Sequence, residues 1–260
     1  MNPVTPPQSA IILPTSPTQS KNSFVYGVTL GNEITDDLLK SWACLFNSNY
    51  GIWGSKVGTI SKFTKPGEPV KMNSSRLRAQ CVSSPEKTLL VTCFQVDTTA
   101  TLPDQLIGYA FGTVWDYSPS GDPANCDSVS WVTQLVVDKS VRKCYIVTQL
   151  LQTLKYHSLF KSIKAVGLIS SHPTACNALA KYASAKVYDI DLTFIWDHAE
   201  AILAFSSISY LRTAQLKGSV FQADCDDGAI SSVFTLFYID HTEPLEALEQ
   251  YKAMGSVGLG

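Results

Sequence analysis

Apolar residues along this chain fall into stretches with distinct periods. FVYGVTL (residues 24–30) reads as a first strand. DDLLKSWACLF places Leu38, Trp42, Leu45 and Phe46 on one face with Leu39 beside them, which is helical spacing. After the aromatic loop NYGIWG and a polar stretch rich in Gly, Pro and Lys, MNSSRLRAQC predicts a capped short helix. TLLVTCFQV and QLIGYAFGTVW are β-branched and aromatic runs on either side of a polar segment with Pro103 and Asp104, the signals of an antiparallel hairpin. SWVTQLVV is apolar or β-branched on both faces, as in a central strand covered on both sides.

The period switches in CYIVTQLLQTLK, where Ile146, Leu150 and Leu154 align, flanked by Val147 and Leu151. AVGLIS reads as another strand. SSHP opens a helix with Pro173 at a tolerated first-turn position, and TACNALAKYA puts Ala175, Ala178, Leu179 and Tyr182 on one stripe. Ser130 to Ala183 thus predicts strand–helix–strand–helix, a parallel pair joined by a crossover helix. Further on, GSVFQADCDDGAISSVFTLFYIDH predicts two strands about an Asp227-Gly228 turn, and HTEPLEALEQYKAM a short closing helix.

Composition narrows the class. With 45% hydrophobic and 16% charged residues, most of the 260-residue chain is expected to be globular. Residues 1–23 are rich in Pro, Ser and Thr and read as a disordered or extended tail, leaving 24–260 as one domain. That tail has neither the basic leader nor the long apolar run of a secretory signal. The richest apolar run, FIWDHAEAILAFSSI, is broken by Asp197, His198 and Glu200, so no bilayer span is expected. A formal charge of −2 gives no electrostatic reason to expect nucleic acid. The expectation is a soluble, cytoplasmic protein of undetermined oligomeric state. Seven cysteines without a Cys-x-x-Cys pair read as reduced, mostly buried thiols, and four scattered histidines predict no metal site.

The stretch VSWVTQLVVDKSVRKCYIVTQLL carries the candidate chemistry. A strand hands over through a turn holding Arg142 and Lys143 to a helix, whose N-terminus offers N–H donors and positive potential to an anion. The turn lacks glycine, and from periodicity alone a βα turn with solvated Arg and Lys is the better reading.

Taken with its neighbours, this stretch resembles the acetyl-CoA-dependent N-acyltransferases of the GNAT superfamily, over roughly residues 91–187. Arg142 stands at the signature Arg or Gln. Tyr145 and Val147 stand where two small residues belong, and Lys143 replaces a common further glycine, so the signature is degenerate. NYGIWG and IDHTEPLEAL are similar to fungal members. The resemblance implies an α/β (α+β) fold: a mixed central sheet, with a parallel strand pair splayed around the CoA site and flanking helices. It implies that the amides of Arg142, Lys143, Cys144, Tyr145, Ile146 and Val147 face the CoA pyrophosphate. Backbone groups of Leu135, Val136 and Val137 would then meet the pantetheine arm and the thioester, where a main-chain N–H stabilises oxyanion charge.

The same resemblance implies Tyr182 as general acid for the departing thiolate, although Tyr182 also belongs to an apolar stripe and reads equally as core. Gln134 lies near the place of a family glutamate and cannot act as a base. His172, at a strand-to-helix turn, is a candidate base or simply a helix cap, and Asp116 and Asp138 are other candidates. NYGIWG and the helix before it are the expected wall of the acceptor site. The implied function is transfer of an acetyl group from acetyl-CoA, with no metal, to a small amine. The alternative is a GNAT-fold binding or interaction protein without catalysis. A cysteine nucleophile at Cys144 with His172 as base fits no recognisable hydrolase signature.

Overall fold

A computed structural model describes residues 10–12, 22–59, 62–97, 103–122, 124–142, 144–170, 172–222 and 230–257. In chain order the elements are β1 (Ala10–Ile12), β2 (Asn22–Leu30), α1 (Asp36–Asn49), α2 (Ser74–Cys81), β3 (Thr88–Asp97), β4 (Gln105–Tyr117) and β5 (Asp127–Val137). They continue as α3 (Ile146–Tyr156), β6 (Ala165–Leu168), α4 (Pro173–Ala183), α5 (Leu192–Ala204), α6 (Ser209–Arg212), β7 (Gln215–Lys217), β8 (Ser232–Phe234) and α7 (Thr242–Val257). The fold is mixed α/β. Strands β1 to β6 lie side by side in sequence order in one sheet, and β7 pairs with β8 apart from it. The β1–β2, β2–β3 and β3–β4 pairs are antiparallel. The adjacent β5 and β6, joined through α3, form the parallel pair.

Side-chain alternation along β4 explains why both faces of the sheet are covered. Tyr109 and Phe111 turn to one face, where Trp42 of α1 meets their rings at centroid distances of 6.4 and 5.8 Å. Gly108 and Gly112 turn to the other. A Cβ on Gly108 would lie 3.3 Å from Ile146 Cγ2, and one on Gly112 2.8 Å from the Phe160 ring. Small residues on this face let α3 settle close to the sheet, which fixes where its N-terminus lies. A bulge between Cys93 and Phe94 shifts the β3–β4 register so that Phe94 pairs with Leu106. The carbonyl of Ile107, the residue skipped, accepts the Asp138 N–H at 2.8 Å.

The chain divides into two compact units, one of Met1–Tyr50, Lys71–Val114 and Ser130–Ser162, the other of Gly51–Val70, Trp115–Val129 and Ile163–Gly260. The first holds β1, β2, β3, α1, α2, α3 and most of β4 and β5. Leu39, Trp42 and Phe46 of α1, Leu77 of α2, and Leu150, Leu151 and Leu154 of α3 are buried there. The second holds β6, α4, α5, α6, α7 and the β7–β8 pair. In it Trp115 Nε1 donates to the Ile202 carbonyl at 2.9 Å, and Phe194 stacks on His198 at 4.3 Å. The NYGIWG segment bridges antiparallel from Trp53 to Ile239. Among the described residues no helix is long and apolar enough to cross a membrane.

Two features depart from the sequence expectations. Within the tail, Ala10–Ile12 is a short strand on β2. The late hairpin is smaller than expected, with its first strand at Gln215–Lys217 rather than after Gly218. Gly218 has φ +111 and its Cβ position lies 2.5 Å from the Ile230 carbonyl, so the chain turns there instead of extending. The Asp227-Gly228 turn lies outside the described residues.

Burial sorts the thiols. Cys81 and Cys93 are enclosed, and desolvation pushes each up to about 12, whereas Cys44, Cys126 and Cys144 are exposed. Thiolate is the reactive form. Iodoacetamide at about pH 8 is therefore expected to modify Cys44, Cys126 and Cys144 in the native protein and to spare Cys81 and Cys93 until it is denatured. Peptide mass mapping reads this, and native-state labelling of Cys93 would contradict the packing of β2 on β3.

Candidate functional site

The turn from β5 to α3 belongs wholly to the first unit. Leu135 is half-buried, and Val136 and Val137 are buried at the end of β5. Asp138 then starts a single 3-10 turn, its carboxylate accepting from the Ser140 N–H at 2.9 Å and from the Ser140 hydroxyl at 2.6 Å. Burial alone would raise the Asp138 carboxyl; hydrogen bonds from Ser140 and Asn49 and the Arg142 charge outweigh it and hold the group below the usual carboxylate range. Lys143 lies outside the described residues. Cys144 is exposed.

Tyr145, the residue before α3, has φ 59 and ψ 12. This left-handed conformation is one that glycine adopts without cost and other residues at about 1–2 kcal/mol. The sequence puts an aromatic residue where the backbone asks for glycine. The residue is 71% exposed. Ile146 is buried and Val147 half-buried.

The N-cap residue of α3, Tyr145, makes no side-chain cap bond. Four other helices of eight or more residues are each capped by the residue before them: α1 by Thr35, α2 by Asn73, α4 by His172 and α5 by Asp191. The first-turn N–H groups of α3, at Ile146, Val147 and Thr148, lie beyond the reach of the helix's own carbonyls and receive no cap from Tyr145, and they carry the positive end of the helix dipole. A diphosphate fits that chemistry by charge and by hydrogen bonding.

Arg142 is only partly available to such an anion. Its guanidinium is half-buried and donates through Nη2 to the Asn49 carbonyl at 2.7 Å. Burial lowers its pKa, against the opposing charge of Asp138. The bond places a cation at the negative end of α1. Asn49, 6% exposed, also accepts the Lys139 N–H on Oδ1 at 2.9 Å and donates through Nδ2 to the Leu45 carbonyl at 3.0 Å. Sequence reasoning missed Asn49. Its only signal was an amide residue at the end of a helical stripe, where Asn is common as a stop.

Gln134 is a buried polar tie. Its Oε1 accepts from the Tyr109 hydroxyl at 2.8 Å and its Nε2 reaches the Met72 sulfur at 3.6 Å. Burial, reinforced by Cys81 and Tyr50, raises the Tyr109 phenol far above its ordinary value.

His172 and Tyr182 belong to the second unit. His172 caps α4: Nδ1 accepts the Thr174 N–H at 3.2 Å, and Nε2 lies 3.8 Å from Glu243 Oε1. In this geometry the Nδ1 lone pair is already used, and the proton of the neutral ring sits on Nε2 toward a carboxylate. Tyr182 is 3% exposed on the buried stripe of α4 with Ala175 and Ala178. Asp116 accepts from the Ser128 hydroxyl. An open cleft of about 330 Å³ in the β4–β5 loop is lined by Pro119, Ser120, Ala124, Asn125, Cys126 and Asp127. It contains none of the expected site residues. Among the described residues no group of three or more His, Cys, Asp or Glu could hold a metal ion.

The chain matches no protein-family model and no curated protein. Solved structures similar to this chain include several acetyltransferases. An aminoglycoside acetyltransferase from an uncultured soil metagenomic sample is 13% identical, with 62% of this chain and 90% of that one covered and a TM-score of 0.38. Glucosamine-6-phosphate N-acetyltransferase from Arabidopsis thaliana is 12% identical, with 62% and 92% covered and a TM-score of 0.37. A GNAT family acetyltransferase from Staphylococcus aureus is 13% identical, with 56% and 86% covered and a TM-score of 0.35. These values are too low to carry function across.

The geometry at 145 has a direct consequence for stability. Tyr145→Gly is expected to stabilise the protein by about 1 kcal/mol in urea unfolding, because glycine relieves the left-handed strain. Tyr145→Val, β-branched at positive φ, is expected to destabilise it by about 1–2 kcal/mol. Equal stability of the two variants would contradict the left-handed backbone.

Proposed function

We propose that this protein is an acyl-CoA-dependent N-acyltransferase that moves an acetyl group from acetyl-CoA to a small amine by direct attack on the thioester. The observation that carries the reading is the first turn of α3, which its N-cap residue Tyr145 enters in the left-handed conformation without a side-chain cap bond. Donors there are main-chain N–H groups, so substitution of the signature glycines does not remove them. The amides from Arg142 to Val147 are assigned to the diphosphate, that of Cys144 only by giving up its 3.4 Å bond to the Val141 carbonyl, and the end of β5 at Leu135, Val136 and Val137 to the thioester.

In the proposed reaction the amine nitrogen attacks the thioester carbon and its proton leaves to a base, through water or directly. A main-chain N–H at the end of β5 stabilises the negative charge on the carbonyl oxygen. The carbon–sulfur bond then breaks, and Tyr182 is proposed to give its phenol proton to the thiolate. His172 can serve as the base only by giving up its cap bond to Thr174.

One set of observations favours a second reading, ligand binding without catalysis. Gln134 is an amide committed to Tyr109 and Met72, and the His172 lone pair is committed to α4. Both readings share the binding of acetyl-CoA and differ in turnover. At a hundred times its dissociation constant a ligand stabilises the folded state by about 2.7 kcal/mol. A clear rise in melting temperature is therefore expected with acetyl-CoA at millimolar concentration. Thiol release in the presence of small amines, slowed by Tyr182→Phe without loss of the thermal shift, is the outcome expected of the enzyme. A shift without turnover selects the second reading, and no shift contradicts both.

A further inference from the structure

The most buried polar link to the α3 turn comes from a residue 90 positions earlier in the chain. Asn49 ends α1, and it is almost fully enclosed. Its side chain accepts the Lys139 N–H, its carbonyl accepts from Arg142, and its amide donates back to Leu45. Lys139 and Arg142 bracket the 3-10 turn Lys139–Val141. The chain leaving β5 is thus held at two points by one residue before it enters the left-handed step at Tyr145. Asp138 fixes the near end of the turn through Ser140.

We propose that Asn49 is a positioning residue for the anion-binding start of α3, acting through Lys139 and Arg142 rather than by touching the ligand. This rests on the acetyl-CoA reading above. Its physical basis is that an anion held by fixed main-chain donors binds only as tightly as those donors are already in place. On this view Arg142 owes its place in the turn to the α1 end, and its charge toward the diphosphate is secondary.

The same bond can be deleted from either side. Asn49→Ala removes the acceptor, together with the side-chain bonds to Asp138 and Leu45, whereas Lys139→Pro removes the Lys139 donor alone, at a first-turn position where proline is tolerated. Asp138 before it has φ −55 and ψ 134, a conformation compatible with a following proline. Acetyl-CoA affinity, measured by calorimetry at a temperature where every variant is folded by circular dichroism, is expected to fall about tenfold in each. In the double variant it is expected to fall no further, as for two ends of one interaction. A purely structural role would lower the melting temperature and leave that affinity unchanged, which would overturn the proposal. If Asn49→Ala does not fold, Lys139→Pro carries the same test.

If the wild-type protein binds no acetyl-CoA, the functional reading fails by itself. Hydrogen exchange over residues 139–147 then judges the positioning role. Faster exchange there in either variant, relative to the rest of the first unit, upholds the tie; unchanged exchange overturns it.

Discussion

The central constraint is a set of main-chain N–H groups at the start of α3 that the side chain of its N-cap residue, Tyr145, leaves uncapped. Donors of this kind are costly unless something satisfies them, and water or an anion can do so where the helix end is accessible. Several features of the first unit serve to present that end. Gly108 lets Ile146 come down onto the sheet, and the tie through Asn49 holds the preceding turn. Tyr145 takes up a backbone conformation that costs it energy. Strain of this kind persists only where its surroundings over-determine it, and it concentrates at binding sites.

Side-chain chemistry is less committed to catalysis than the backbone is to binding. The polar groups of the first unit are engaged with one another: Gln134 with Tyr109, Asp138 with Ser140, Arg142 with Asn49. In the second unit His172 closes α4. An acyl transfer from a thioester asks little of side chains beyond a proton acceptor for the amine and a donor for the sulfur. The proposed enzyme therefore depends chiefly on where its backbone dipoles point.

Much of the architecture was legible in the sequence because its signals are local. The switch from strand to helical period between Val137 and Ile146 marks the β5–α3 handover to within a few residues, and the stripe of α4 is read in the same way. The site was only half legible. A basic turn before a helix could be seen, but not that Tyr145 would take the left-handed conformation. Nor could the use of Arg142 on a carbonyl 93 residues away be seen. Pairings at that distance leave no periodic trace. β-branched residues after Gly218 read as strand, whereas Gly218 has φ +111 with the Ile230 carbonyl against its Cβ position, and the chain turns there. The short β1 strand lies in a segment whose composition reads as tail.

The most direct test follows backbone amides rather than activity. In ¹⁵N-resolved spectra, titration with acetyl-CoA is predicted to shift the amide resonances of Ile146, Val147 and Thr148 most strongly, and inorganic pyrophosphate is predicted to compete at the same residues. Saturable binding of acetyl-CoA that leaves those three resonances in place would contradict the claim that the start of α3 grips the diphosphate.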